Sequence, residues 1–353
     1  MRVTKGLFIG VVATGLGLAC LWPFGCDDNP TKPPPVEAKN YVFYWNRYVT
    51  DSTFFGYHTL TGEIDSFFIP GTQVYDMNVS ADGRRLFISY SDKTRVFGTE
   101  DYKPIVDLPY SGWYGVAVSP DNRYVAVQSG NLRIISSQNY SVVYQDTLGV
   151  NRSIFSANGS RLYAPGASSS CRSIYRLDLE KGFESDSICI PDDFPVFRVV
   201  PSRDEKLLFI FRSLGNCYMY LDVFDVAGDS LMFRDLVAPG CGDMAVSPDK
   251  EHLYFTGPGD LHGWPPHAYS FARYHIGNKI IDSIWSASIC EFSDPTPAFG
   301  SDLALTPDGR TLAITDGIVR NRLVLYDCQL QDTIRVLCFP GIGFWHVTCR
   351  NGR

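Results

Sequence analysis

The chain has 353 residues, with 31 lysines and arginines against 38 aspartates and glutamates, a net charge of −7 and a pI near 5.4. An acidic balance without a basic stripe argues against nucleic acid, or an anionic membrane surface, as the partner. Aromatic residues make up 14% of the chain, a proportion suited to sheets stacked on one another.

Residues 1–26 read as a targeting segment rather than as part of the fold. Arg2 and Lys5 give it a positive start, and Leu7 to Leu21 form an apolar stretch too short and glycine-rich to read as a membrane span. Gly25-Cys26-Asp27-Asp28-Asn29-Pro30 and then Pro33-Pro34-Pro35 follow. A small residue before a cysteine, closing an apolar run and opening a polar linker, resembles a bacterial lipoprotein signal. The resemblance implies an exported protein on a periplasmic or cell-surface face, held to the membrane only by a lipidated cysteine. Cys26 is the expected lipid site because polar residues begin directly after it; Cys20, preceded by Leu18-Ala19, is the alternative. An ordinary cleaved signal, or an uncleaved anchor, competes with both. Residues 27–39 would be a proline-stiffened tether.

From residue 40 onward the chain alternates short apolar runs with turns. Tyr41 to Asn46, 53–60 and 64–69 read as three strands. A phrase then recurs down the chain. It reads Val79-Ser80-Ala81-Asp82-Gly83 with Leu86, Val118-Ser119-Pro120-Asp121-Asn122 with Val125, and Phe155-Ser156-Ala157-Asn158-Gly159 with Leu162. A weaker fourth copy is Val200-Pro201-Ser202-Arg203-Asp204 with Leu207. Val246-Ser247-Pro248-Asp249-Lys250 with Leu253, and Leu305-Thr306-Pro307-Asp308-Gly309 with Leu312, complete the set. Proline presets φ, aspartate bonds back to nearby N–H groups, and glycine accepts positive φ, so each phrase specifies a hairpin turn between two apolar strands. Leu323 to Asp327 and Thr333 to Leu337 show the two further strands that complete a unit.

A strand–turn–strand period of this length is the signature of a β-propeller. The phrases resemble YVTN-type repeats and, more loosely, WD40-like repeats with Ser-Pro-Asp-Gly turns, over residues 40–353. At the C-terminus, Phe344 to Thr348 reads as an inner strand with nothing after it to pair, and the first three strands lack an inner partner. Joining them gives an all-β, seven-bladed propeller closed by pairing the C-terminal strand with the N-terminal blade, which hides the sheet edges an open ring would expose.

Eight cysteines fall inside the propeller segment, and none makes a Cys-x-x-Cys. An exported compartment permits disulfides. Cys171 and Cys189 flank one hairpin turn and Cys217 and Cys241 another, so these two bridges are expected; free buried thiols are the alternative. The pairing of Cys290, Cys328, Cys338 and Cys349 is open.

Inner strands of a propeller line its channel. Counting three residues back from each phrase gives Asp76, Gly115, Arg152, Phe197, Asp243 and Asp302, with Arg198 one position off, and Trp345 and His346 come from the closing strand. Asp76, Arg152, Arg198, Asp243, Asp302, Trp345 and His346 are the candidate ligand-binding set, able to hold a polar ligand or to pair among themselves in a wet channel. The long fifth repeat carries Gly257 to His267, where His262, Trp264 and His267 are candidate loop contacts. Asp260, His262 and His267 form only a weak metal pattern, and no metal or cofactor is expected. Gly-x-Ser-x-Gly, His-Glu-x-x-His and a phosphate-cradling loop are all missing. The sequence therefore points to a non-catalytic binding or scaffold module for an envelope protein or glycan. An envelope hydrolase or oxidoreductase working at the channel mouth is the alternative.

Overall fold

A computed structural model of the full chain divides into two compact units, residues 1–36 and 37–353. It describes 41–46, 51–58, 61–70, 73–147, 149–166, 173–190, 195–213, 218–239, 243–247, 249, 251–256, 271–278, 280–285, 302–306, 309–316, 322–330, 332–338 and 344–349. The signal and tether, with Cys20 and Cys26, lie outside these residues, as does the loop bearing His262, Trp264 and His267.

All the described secondary structure is β. The opening strands are β1 (Tyr41–Asn46), β2 (Asp51–His58) and β3 (Ile64–Pro70), and the last is β28 (Phe344–Cys349). Between them, strands β4 to β27 run from Val74 to Cys338. Every run of four consecutive strands from β4 onward forms one antiparallel sheet, and a further sheet has the order β28-β1-β2-β3. In that sheet Phe43 faces Thr348 and Tyr44 faces Val347 in the register between β1 and β28. The architecture is a β-propeller whose blades are these four-stranded sheets.

The core lies between blades rather than within one. Val96 of β6 (Thr94–Gly98) and Leu108 of β7 (Pro104–Leu108) pack with Val116, Val125 and Ile135 of the next sheet. Comparable clusters fill each following gap. One cluster joins Ala313, Leu323 and Leu325 to Phe54, Tyr57 and Ile69 and to Val74, Leu86 and Ile88, so the sheet that combines both ends of the domain packs on both sides. Such apolar burial is the main stabilising term of the fold.

The repeated phrase builds the hairpin between each inner strand and its neighbour. In the first copy Ser80 Oγ donates to Asp82 Oδ1 at 2.6 Å and accepts from Arg85 N at 2.9 Å, while Arg84 N donates to the same carboxylate oxygen at 3.1 Å. Ser119 with Asp121, Ser156 with Asn158, and Ser202 with Asp204 repeat the contact at 2.7, 2.8 and 2.7 Å. The residue after the acid takes positive φ: Gly83 at 67°, Asn122 at 59°, Gly159 at 74°, Glu205 at 58°. Glu205 is a non-glycine in a left-handed conformation, a strained position. Its carboxylate is nevertheless buried and meets Arg161 at 3.3 Å.

These bonds correct the alignment of the fourth copy. Ser202, not Pro201, does the work of Ser80, so the phrase starts one residue later and its closing apolar residue is the fully buried Leu208 rather than Leu207. The fourth turn is chemically as complete as the others.

Candidate functional site at the channel mouth

The corrected alignment moves the inward position of the fourth blade from Phe197 to Arg198. Asp76, Gly115, Arg152, Arg198, Asp243 and Asp302 then occupy equivalent places, three residues ahead of each turn's start. All six line one cavity of about 220 Å³, together with Asn78, Gln128 and Ser153. Two inner strands carry a bulge at this point: the register skips from Val74 to Asp76 against β5 (Arg85–Tyr90) and from Val196 to Arg198 against β17 (Leu207–Ser213). The extra residues are Tyr75 and Phe197. A bulge re-aims neighbouring side chains, and here the charged residue lines the cavity while Phe197 stays more than a third exposed.

The charged groups fall into three kinds of environment. Asp76 is committed to backbone: Oδ1 accepts from Met77 N at 2.9 Å, and Oδ2 accepts from Val116 N of the next blade at 2.8 Å. Gly115, with φ of 142°, makes this approach possible, since a Cβ there would sit 3.1 Å from Asp76 Oδ2. Asp243 is buried and forms a two-pronged pair with Arg198, Nε to Oδ1 at 2.6 Å and Nη2 to Oδ2 at 2.9 Å. Burial pushes the Asp243 carboxyl up to about 7; Arg198 and Arg152 pull it down, while neighbouring Asp302 pushes it further up. Arg152 is different again. Burial opposes its charge, yet the fields of Asp302, Asp76 and Asp243 outweigh burial and keep the guanidinium charged. It forms no close ion pair or hydrogen bond among the described residues, so its donors face the cavity.

The raised Asp243 carboxyl has a consequence for stability. The unfolded chain gives up this proton near the ordinary value of 3.8, the folded chain only near 7. Between those limits the native state binds the extra proton, so the contribution of Asp243 to stability falls as pH rises through the window. Asp243→Asn stays neutral throughout, with Arg198, Arg152 and Asp302 unchanged around it. Urea unfolding should therefore show the variant gaining on the wild type between pH 5 and pH 8. An equal difference at both pH values would show that Asp243 is ionised throughout.

Trp345 and His346 lie on β28, but their side chains fall outside the described residues. Cys171, Cys217 and Cys241 also fall outside. Cys189 carries a free, exposed thiol, which corrects the expected bridge to Cys171. The register of β14 (Ser173–Asp178) and β15 (Glu184–Cys189) sets Cys189 opposite Ser173, with Ser173 Oγ 4.0 Å from its sulfur. Elsewhere Asp249, Glu251 and His252 bring ligand atoms within 4.8 Å of one another on an exposed turn. Asp249 Oδ1 is already taken up there by Ser247 Oγ and Glu251 N.

Sequence reasoning missed the aromatic rim. Tyr75, next to Asp76, stacks on Trp113, two residues ahead of Gly115, with ring centroids 5.1 Å apart and planes 18° apart. Trp113 is 59% exposed and Tyr114 43%. The available signal was an aromatic residue directly before an inward position, as in Tyr75-Asp76, Tyr114-Gly115 and Phe197-Arg198.

No protein-family model matches the chain, and no curated protein matches it significantly by sequence. Solved structures do match in fold. Kuenenia stuttgartiensis hydrazine synthase superposes with a TM-score of 0.64 at 16% identity, over 78% of this chain and 89% of that one. The β-propeller domain of Myceliophteria thermophila Cps50 (Swd1) gives 0.60 at 12% identity, over 79% and 91%. Dihydro-heme d1 dehydrogenase NirN, in complex with DHE, gives 0.58 at 13% identity, over 90% and 77%. At these identities the likeness extends to the β-propeller fold and stops there.

Proposed function

We propose that this protein is a seven-bladed, YVTN- or WD40-like propeller, closed through β28 and tethered to a membrane by a lipid on Cys26. It serves as a non-catalytic binding or scaffold module for an envelope protein or glycan. One observation carries the reading: charged side chains from five different blades converge on one solvent-reachable cavity. Ligand sites take this form, concave and set with a few convergent polar groups. The test is capture of partners from envelope membranes with the full-length protein and with Arg152→Gln. A partner held by the wild type and lost from the variant supports the reading; identical capture by both removes the channel mouth from it.

The tether makes its own prediction. Cys26→Ser should move the protein from the membrane fraction to the soluble fraction on cell fractionation. Release by Cys20→Ser instead would reassign the lipid site, and release by neither would end the lipoprotein reading.

A second reading, an envelope hydrolase or oxidoreductase, draws on Asp243. A buried carboxyl held near neutrality beside a second carboxylate can store and hand on a proton. A metal or redox cofactor that copurifies with the wild type, and is lost when Asp243 and Asp302 both become alanine, would favour it.

A further inference from the structure

We propose that the channel mouth is a carbohydrate site, in which a sugar ring stacks on Trp113 and its hydroxyls meet Arg152. The inference rests on the mouth being a binding site and commits that site to one of its two partner classes.

Three independent observations converge on a sugar. The first is the platform. Tyr75 and Trp113 come from neighbouring blades and support one another by stacking, yet Trp113 remains 59% exposed. An aromatic face so exposed, two residues along the chain from the cavity-lining Gly115, offers an apolar surface that no described residue covers. The second is position. Tyr75 adjoins Asp76 in sequence, and the turn carrying Trp113 is closed by bonds from Gly115 N to Gly112 O and from Tyr114 N to Gln128 O, both 2.9 Å. Asp76, Gly115 and Gln128 all line the cavity, so the platform adjoins the polar groups through the chain, beside the cavity rather than as part of its lining.

The third is charge. Arg198 and Asp243 are held to one another in a two-pronged contact, and Asp76 is bonded to two backbone amides. Arg152 remains with donors facing the cavity, and the surrounding carboxylates balance its charge through space. An ammonium entering there would meet Arg152, and a carboxylate would meet Asp76 and Asp302. A neutral molecule rich in hydroxyls avoids both conflicts and still gains charge-assisted hydrogen bonds, donating to carboxylate and accepting from guanidinium. A pyranose has such a rim of hydroxyls and, on its other aspect, a flat apolar face of C–H groups for the aromatic platform. The cavity, about 220 Å³, is smaller than the about 300–1,000 Å³ of drug-sized sites. It fits a terminal sugar whose remaining chain lies outside.

The test uses the full-length protein on an immobilised oligosaccharide array. Isothermal titration then follows with methyl glycosides of glucose, galactose, mannose and N-acetylglucosamine, with propylammonium and propionate as ionic controls. At least one sugar should bind. Trp113→Ala and Arg152→Gln should each weaken it about tenfold or more, the loss of one stacking or charge-assisted contact. Unfolding temperature should fall by only about 1–2 °C for Trp113→Ala, which loses one exposed stacking contact. Sugar binding insensitive to Trp113→Ala overturns the proposal. Binding of an ionic control through Arg152 with no sugar bound also overturns it, while leaving the mouth a ligand site. If no probe binds and partner capture ignores Arg152→Gln, both inferences fall together.

Discussion

Deleting Phe344 to Arg353 is expected to destabilise the domain far more than trimming a terminus usually does. Terminal residues are commonly dispensable because little is bonded to them. Here the removed segment is β28, whose backbone pairs with β1 from Val42 to Asn46. β28 also lies against β24 (Leu303–Leu305), β25 (Thr311–Asp316) and β4 (Val74–Val79) of the two flanking sheets. Its loss turns β1 into an open edge and unpairs the β1 backbone. Several lost backbone hydrogen bonds at about 1 kcal/mol each, with packing in addition, amount to on the order of 5 kcal/mol or more. For a domain this large, each kcal/mol moves the midpoint by about 1.5 °C, so a fall of about 7 °C or more is expected if the variant folds at all. Deleting 350–353 alone stops short of β28 and should cost little. A truncation at 344 that melts within a few degrees of the full chain would show that the propeller does not need this strand.

The fold was legible because turn chemistry repeats. A serine that caps the next strand, an acid that accepts two bonds, and a residue at positive φ recur together, and few other structures ask for that combination. The inward positions were legible for a related reason. In a strand, alternate residues share a face, so a fixed count from a well-defined turn lands on the channel. The count failed once, at Phe197, because the anchor was misplaced: Pro201 stood in for Ser202, and one residue of slip reverses the face. The hydroxyl bond from Leu207 N to Ser202 Oγ, at 3.0 Å, identifies the true anchor. The aromatic rim was harder to read, since Tyr75 and Trp113 lie 38 residues apart in the sequence and stack only because adjacent blades meet. Least legible of all was a buried ionic cluster in the outer strands. Its members, Arg212, Asp222 and Arg234, sit on strands where a charged residue ordinarily faces water.

That cluster yields the other large effect. Arg212, on β17, and Asp222, on β18 (Tyr218–Asp225), both have side chains with no exposed surface, and Arg212 Nε lies 2.6 Å from Asp222 Oδ2. Arg234 approaches the other oxygen from β19 (Ser230–Pro239), with Nε 2.7 Å from Oδ1, and its guanidinium lies over the Tyr220 ring at 5.4 Å. The register explains the meeting, because Asp222 faces Arg234 directly and Arg212 faces Tyr220, two residues away on the same side. Removing one member of such a group costs more than the group contributes, because the charge left behind remains desolvated. Asp222→Ala strands Arg212 in the sheet and is expected to cost about 3–5 kcal/mol, read as a lowered urea midpoint. Replacing the buried pair together, Arg212→Met with Asp222→Leu, removes both desolvation penalties. Arg234, whose side chain is a quarter exposed, can then turn to water. The double variant should recover most of the loss and come within about 1–2 kcal/mol of the wild type. An Asp222→Ala variant as stable as the wild type would show that water reaches Arg212 in solution. A double variant as unstable as the single one would locate the cost in packing rather than in charge.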